Sequence, residues 1–426
     1  MLKSKLTIII LMTILLSSIY ATSTEFFANA GSSNDDWSMF HHDLTHTGYS
    51  TSTPTATSAV LLWNYTTGLA VWASPSIVGD RVYIPSDDGT VYCLDALTGA
   101  KIWNYTTQAN RRGAPIGSSV AVADGYVYFG CYDRNVYCLN SSTGDKIWNF
   151  TTGNTVQSSP AVVEGYVYVG SWDGNVYCLD AFTGAKIWNY TAGGLVESSP
   201  AVVDGRVYVG STNSNVYCLD ALSGAEIWKY TTGNIVLSSP AVVDGRVYIG
   251  SEDNNVYCLN ATTGDKIWNY PTQGLVDSSP AVANGCVYVG SRELDANQND
   301  VSSNVYCLDS STGAKIWNYT TQGGVNSSPA VAGGFVYVGG WDHNVYCLSA
   351  STGSEIWIYT TQGHVNSSPA VAGGIVYVGS WDANVYAFGT PKHSQSIPTE
   401  IIYLISVVVA VVLVVAVVLA LRRRKQ

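Results

Sequence analysis

A block of about forty residues recurs along most of the chain, a period that belongs to propellers and solenoids. The stretch 198–230, SSPAVVDGRVYVGSTNSNVYCLDALSGAEIWKY, shows its content. Four runs rich in Val, Tyr, Ile and Trp (SSPAVV, RVYVGS, NVYCLD and EIWKY) are separated by breaks rich in Gly, Asp, Asn and Ser. That is the pattern of strands joined by hairpins, and we label the strands A to D. The A strands begin near Ser74, Ser118, Ser158, Ser198, Ser238, Ser278, Ser327 and Ser367. The C strands carry Tyr92, Tyr137, Tyr177, Tyr217, Tyr257, Tyr306, Tyr346 and Tyr386, and the D strands Trp63, Trp103, Trp148, Trp188, Trp228, Trp268, Trp317 and Trp357. Each type occurs eight times, yet the first D strand precedes the first A strand and the last C strand has no D after it. This offset lets Leu61 to Thr66 complete the sheet that begins at Ser367 and so close a ring. A solenoid would want polar capping repeats, which neither end supplies, whereas a closed ring leaves only short, protected edges. The expectation is an all-β, eight-bladed propeller of four-stranded antiparallel blades over 61–389, with a lead-in segment over 31–60.

The strand faces agree. In NVYCLD, Val176, Cys178 and Asp180 point one way and Tyr177 and Leu179 the other. Both faces are largely apolar, as expected of a sheet packed between two neighbours.

The two ends read differently. Met1 to Lys5 carries two lysines, Leu6 to Ile19 is uncharged and mostly apolar, and a small-residue exit includes Ala28-Asn29-Ala30. These are the parts of a secretory signal peptide over 1–30, with cleavage after Ala21 or Ala30. Ile401 to Leu421 has no charge and the length of a membrane crossing. Arg422, Arg423, Arg424 and Lys425 follow at once and mark the cytoplasmic side. The expected order is a linker over 390–400, a transmembrane helix over 401–421 and a basic cytoplasmic tail over 422–426. The chain then reads as a single-pass protein of the cell membrane with its N-terminal domain extracellular. Without the first thirty residues and the tail, about 14 Lys and Arg face about 30 Asp and Glu. No basic stripe is available for phosphate contacts, which argues against nucleic acid as a partner.

Cys178 to Trp188 reads CLDAFTGAKIW, with counterparts beginning at Cys93, Cys138, Cys218, Cys258, Cys307 and Cys347. It resembles the tryptophan docking motif, A-x-D-x-x-x-G-x-x-x-W, of propellers related to pyrroloquinoline-quinone (PQQ) enzymes. Asp95, Gly99 and Trp103 match it, as do Asp180, Gly184 and Trp188. Trp37 to Ser50, WSMFHHDLTHTGYS, is similar to the lead-in of such proteins. The resemblance implies the propeller fold but not an activity, because the same fold serves quinone-dependent dehydrogenases and non-catalytic relatives such as the bacterial outer-membrane assembly lipoprotein. The dehydrogenases are larger, hold calcium and quinone through dedicated acidic, Arg and Trp residues, and often carry an adjacent cysteine pair. This chain has no Cys-Cys dipeptide, and the cofactor ligands find no counterparts on it. The resemblance therefore implies the non-catalytic branch.

Seven cysteines (93, 138, 178, 218, 258, 307 and 347) share one position of strand C, and Ala387 takes it in the last blade. Equivalent positions in adjacent blades lie about 10 Å apart, beyond the ~7 Å that a disulfide tolerates. They read as small buried fillers. Cys131 and Cys286 fall outside the pattern. Nine N-x-[ST] triplets occur, and the WN[YF]T tripeptides of strand D make Asn64, Asn104, Asn149, Asn189 and Asn318 glycosylation candidates.

Binding candidates come from positions that vary while the rest of the repeat does not. The B–C turns and the D–A loops open on one face. The turns contribute Asp87, Tyr132, Trp172, Thr212, Glu252, Trp341 and Trp381. The residues leading into strand A, around the channel, are Trp72, Gly117, Gln157, Glu197, Leu237, Asp277, Asn326 and Asn366. Among them Trp72, Tyr132, Trp172, Glu197, Glu252, Asp277, Trp341 and Trp381 are the ligand-binding candidates, since aromatic anchors dominate many interfaces. Drift of unconstrained loops is the other reading. Blade 6 carries an insertion spanning Arg292 to Ser303, in which Asp295, Asn297, Asn299 and Asp300 are calcium-type ligands. The EF-hand pattern fails there, with no Gly at its sixth position and Tyr306 at its twelfth. The turn acids Asp133, Asp173, Asp253, Asp342 and Asp382 read as Asx-turn residues. His41, His42 and His46 lack partners at metal-ligand spacing, and no catalytic motif stands out.

The chain thus reads as a binding or scaffold module without catalysis, for a surface protein or polysaccharide. The alternatives are a quinone- or calcium-dependent oxidoreductase using the channel and a purely structural component of the cell envelope.

Overall fold

The computed structural model describes residues 36–54, 58–107, 114–295 and 301–389. The signal-peptide, linker, transmembrane and tail expectations, together with Asn297, Asn299 and Asp300, lie outside these residues. Among the described residues no helix is long and apolar enough to cross a membrane.

Eight four-stranded antiparallel blades follow the order A-B-C-D outward from the channel, and in blade 7 the lead-in strand Tyr49–Ser50 adds a fifth, parallel strand on the inner edge. Blade 3 is typical, with strands Ala161–Val163, Tyr166–Gly170, Asn175–Asp180 and Lys186–Thr191. Seven blades are continuous in sequence. The eighth takes three strands from the end of the domain (Ala370–Ala372, Ile375–Gly379 and Asn384–Phe388) and its outer strand, Leu61–Thr66, from the beginning. Trp63 pairs with Ala387 and Asn64 with Tyr386. The expected closure is present.

Strand A is shorter than the sequence suggested, only three residues in each blade, because the Ser-Ser-Pro before it has other work. The backbone N–H of the second serine donates to the hydroxyl of its counterpart in the next blade, from Ser74 to Ser119 at 2.9 Å and on around the circle until Ser368 returns to Ser74 at 3.1 Å. The hydroxyl of the first serine accepts the N–H of the glycine that ends strand B, as in Gly170 to Ser158 at 3.0 Å. Blade 1 proves the rule by exception. It has Ala73 in place of that serine, and Pro85, which has no N–H to satisfy, in place of the glycine.

Apolar clusters fill the spaces between neighbouring blades. One joins Tyr168, Cys178 and Trp188 of blade 3 to Val202, Val209 and Leu219 of blade 4. The strand-C cysteines and Ala387 are fully buried and all nine cysteines are free, so the position acts as a small filler opposite the D-strand Trp. The docking motif works across the seam. Asp180 accepts the N–H groups of Phe182 and Thr183 and shapes the C–D turn. The indole of Trp188 donates to the Ala221 carbonyl of the next blade at 2.9 Å, and a Cβ on Gly224 would lie 2.6 Å from its ring. Gly184, at φ +71°, receives Trp148 of the preceding blade in the same way. Seven indoles make the equivalent bond. The eighth, Trp357, faces the blade whose C and D strands come from opposite ends of the domain. Neither its Nε1 nor the Tyr337 hydroxyl has a partner among the described residues.

The lead-in segment closes one end of the channel. The carbonyls of Trp37, Ser38, Leu44, Thr45, Thr47 and Gly48 accept the N–H groups of Ile77, Val122, Val202, Val242, Val282 and Val331, each at 2.8 Å, so the inner edges of six blades are satisfied. Asp43 organises this floor. It accepts bonds from the backbone and hydroxyl of Thr45, from the backbone and hydroxyl of Thr47, and from His42. Burial alone would raise its carboxyl, but these bonds outweigh it and hold Asp43 well below the usual carboxylate range. Burial lowers His41 to about 4 and His46 to about 3, so both are neutral structural parts of the floor. His46 Nδ1 lies 3.1 Å from the Pro240 carbonyl oxygen.

Candidate functional site

With the floor closed, the accessible end of the channel is the mouth formed by the B–C turns and D–A loops. One backbone bond sets its frame in every blade. The N–H of the first variable turn residue donates to a carbonyl of the incoming loop, as in Trp172 to Thr155 at 2.9 Å and Glu252 to Ile235 at 3.0 Å. The same bond holds Asp87, Tyr132, Thr212, Arg292, Trp341 and Trp381. Below it, the turn aspartate ties the frame together. Asp173 accepts the Tyr177 hydroxyl at 2.7 Å, the Gly153 N–H and the Asn175 N–H. Asp133, Asp253, Asp342 and Asp382 likewise accept the strand-C tyrosine hydroxyl and the N–H two residues on, so the Asx-turn reading holds. An invariant scaffold therefore presents variable side chains.

All eight ligand-binding candidates lie at this mouth, half-buried and sorted into two arcs. The aromatic arc runs through blades 7, 8, 1, 2 and 3. Trp72 stacks on Trp381 with centroids 4.2 Å apart, and Trp341 lies 5.9 Å from Trp381. Trp341 donates its indole N–H to Asn366 at 3.1 Å. Tyr132 and Trp172 form a second pair at 6.0 Å, and the Tyr132 hydroxyl donates to Gln157 at 3.1 Å.

The acidic arc runs through blades 4, 5 and 6. Burial raises Glu197, with repulsion from Glu252 added, and burial raises Glu252 against the opposing pull of Arg292. Asp277 is pushed up to about 7, by burial first and then by Glu252 and Glu197, with Arg292 opposing. Across the channel burial, and then Asp88, raise Asp87 to about 6. Burial, then the Asp87 and Glu197 carboxylates, push Tyr132 up to about 12. Among the described residues Asp277 Oδ1, Asn326 Oδ1, Trp172 Nε1 and Trp381 Nε1 are shielded from solvent and have no hydrogen-bond partner. Polar atoms left in that state cost stability.

Three mouth residues escaped the sequence reading. Arg292 holds the turn position of blade 6, its guanidinium 4.6 Å from the centroid of Trp341. The insertion after it hid the equivalence, although it follows Gly290-Ser291 as Trp172 follows Gly170-Ser171. His364, from the loop before blade 8, packs edge-on to Trp381 at 4.9 Å and to His343 at 4.8 Å. The glycosylation candidates lie elsewhere. Asn64, Asn104, Asn149, Asn189 and Asn318 are all exposed on the outermost strand. Of the calcium-type ligands only Asp295 is described, and no group of three metal-ligating side chains is assembled among the described residues.

The family described as outer membrane protein assembly factor BamB matches residues 46–190, 132–233, 212–299 and 301–395. None of the curated proteins searched matches the chain. Among solved structures, BamB from Moraxella catarrhalis superposes with a TM-score of 0.66 at 20% identity, covering 79% of this chain and 99% of that one. A europium-containing methanol dehydrogenase gives 0.72 at 16% identity, covering 84% and 99%. The quinohemoprotein alcohol dehydrogenase from Comamonas testosteroni gives 0.71 at 17% identity, covering 87% and 83%. At these identities the structural likeness shows the fold alone.

Proposed function

Since the chain belongs to the family described as outer membrane protein assembly factor BamB, we propose that it is a binding scaffold for another protein, engaged through the mouth of the propeller. One observation carries the reading. Eight identical backbone frames hold side chains that differ from blade to blade, and four polar atoms among them are shielded and unpartnered. A purely structural ring has no use for such variation along an otherwise uniform rim. The chain leaves the propeller after Phe388 at the end opposite the mouth. An anchor over 401–421 and an extracellular propeller are both part of this proposal.

A quinone-dependent oxidoreductase is the reading suggested by the dehydrogenase neighbours. The side chains at the mouth fit it poorly. Pyrroloquinoline quinone carries several carboxylates, and Glu197, Glu252 and Asp277 would repel them, with Arg292 in opposition among the described residues.

The test uses the full-length chain and a triple variant with Trp172, Trp341 and Trp381 changed to Ala. Capture of a surface partner is expected to be lost in the triple variant and retained in Leu222→Ser, a substitution at an exposed C–D turn of the opposite face. Retained capture in the triple variant would remove the mouth from the account. Saturable quinone binding with dye-linked alcohol oxidation would establish the oxidoreductase instead. Capture of a polysaccharide in place of a protein would change the partner but keep the site. Enzymatic deglycosylation that lowers the mass of the exported chain would confirm modification of the outer-strand asparagines.

A further inference from the structure

We propose that the mouth is specific for a basic side chain: the ammonium or guanidinium of a Lys or Arg on a partner polypeptide, seated between Trp72, Trp341 and Trp381 on one side and Glu197, Glu252 and Asp277 on the other. This rests on the binding reading above and names the chemistry of the partner.

Ring order sets the two walls against each other. In a circle of eight, blade 4 with Glu197 faces blade 8 with Trp381, and blade 5 with Glu252 faces blade 1 with Trp72. An aromatic face attracts a cation most when the pair is withdrawn from water. The molecule already contains one example of that contact, the Arg292 guanidinium over Trp341. Among the described residues the cation acting on these three carboxyl groups is Arg292, one charge against three, and the balance is negative in a partly desolvated funnel. Two of the unpartnered oxygens, Asp277 Oδ1 and Asn326 Oδ1, stand at neighbouring ring positions in blades 6 and 7 and call for a donor. An ammonium or guanidinium supplies donors and charge together. An uncharged sugar supplies donors but leaves the charge uncompensated.

Two unpartnered nitrogens decide between a polypeptide and a free polyamine. Trp172 Nε1 and Trp381 Nε1 are donors and call for acceptors. A peptide backbone brings carbonyl oxygens beside its basic side chain, whereas a polyamine brings none. Trp172 is part of the pair with Tyr132, in a different blade from the main indole cluster, so a ligand meeting both indoles reaches across blades.

The groups facing the seat are Glu197, Glu252, Asp277, Asp87, Tyr132, Arg292, His343 and His364. The carboxyls bind a cation only when ionised, and those with raised values ionise between acid and neutral pH, so affinity should rise over that span.

Titration calorimetry on the full-length chain provides the test. The probes are acetyl-Gly-Gly-Lys-Gly-Gly-amide, the same peptide with norleucine or Glu in place of Lys, spermidine, and calcium chloride. The Lys peptide should bind at least tenfold more tightly than the norleucine peptide, weaken several-fold from pH 8 to pH 5, and weaken again in 0.5 M salt. Asp277→Asn and Glu252→Gln should each weaken it several-fold while the thermal transition is retained. Equal binding of the norleucine or Glu peptide, or unchanged affinity in both variants, would overturn the proposal. Tighter binding of spermidine or calcium would overturn the polypeptide assignment. If no peptide bound while the Trp triple variant still lost its partner, this inference would fail and the binding role of the mouth would survive.

Discussion

The two ends of this propeller are made from the same repeats, yet one is closed by the lead-in segment and nearly uniform from seam to seam, while the other is open and differs from blade to blade. At the closed end Asp43 gathers five hydrogen bonds, the lead-in carbonyls satisfy six inner strands, and seven of eight docking indoles find their acceptor. At the open end three carboxyls resist ionisation, and Asp277 Oδ1, Asn326 Oδ1, Asn213 Oδ1, Trp172 Nε1 and Trp381 Nε1 have no partner among the described residues. Repetition explains the first end, because each seam repeats one solution. The second departs from repetition blade by blade. The difference teaches where stability and function reside in a ring of duplicated parts.

The comparison predicts that truncating an aromatic at the closed end costs far more than truncating one at the mouth. Trp188→Ala removes a buried indole from the seam between blades 3 and 4 and should cost about 3–5 kcal/mol in denaturant unfolding. Trp172→Ala should cost about 1 kcal/mol or less, since its indole N–H is unpaired already. Equal costs would break the contrast.

The next largest effect is at the floor. Asp43→Ala should cost about 2–3 kcal/mol at neutral pH by leaving the Thr45 and Thr47 donors unsatisfied. Its depressed carboxyl contributes stability that is present above the unfolded value near 4 and lost as pH falls below it. His41 and His46, held near 4 and 3, bind fewer protons folded than unfolded, so acidification below about 6.5 also destabilises the floor. Circular dichroism during acid unfolding should show a smaller acid dependence in the Asp43→Ala variant than in the native chain.

A smaller effect separates one seam from the rest. Trp188→Phe loses one of the two side-chain hydrogen bonds to the Ala221 carbonyl, the Tyr168 hydroxyl keeping the other, whereas Trp357→Phe loses none among the described residues. The first should therefore be the more destabilising by about 1 kcal/mol, read as a difference in denaturant midpoints. An equal loss would mean that Trp357 has a partner after all.

Much of the closed end was legible from sequence because it repeats. The eight-fold count of Tyr and Trp, and the stranded D strand at Trp63, were enough to predict blades and closure. What repetition conceals is the partner. Gly184 and Trp188 stand four residues apart in one motif, yet each docks on a different neighbour, and only the ring shows that Trp188 belongs to Gly224. The Ser-Ser-Pro run looked like the start of strand A because hydroxyl bonds to the next blade leave no mark on local pattern. At the mouth, the turn and ring positions were legible as variable sites. Arg292 was hidden by the insertion that follows it, and His343 and His364 belong to no repeated position that chemistry alone would flag. That Asp277 Oδ1 has no hydrogen-bond partner among the described residues is a fact of three-dimensional placement and was invisible until the blades were closed.

The pH dependence of unfolding in the native chain and in Asp277→Asn tests the undersatisfied mouth most directly. The raised Asp277 carboxyl contributes stability that is fully present below about 4 and lost as pH climbs through about 7. The account predicts indistinguishable stabilities near pH 4 and an Asn variant more stable by about 1–2 kcal/mol at pH 8, a figure reduced for partial exposure. An Asn variant less stable than the native chain at pH 8 would mean that this carboxylate is already partnered inside the propeller, and the mouth would not be a seat awaiting a ligand.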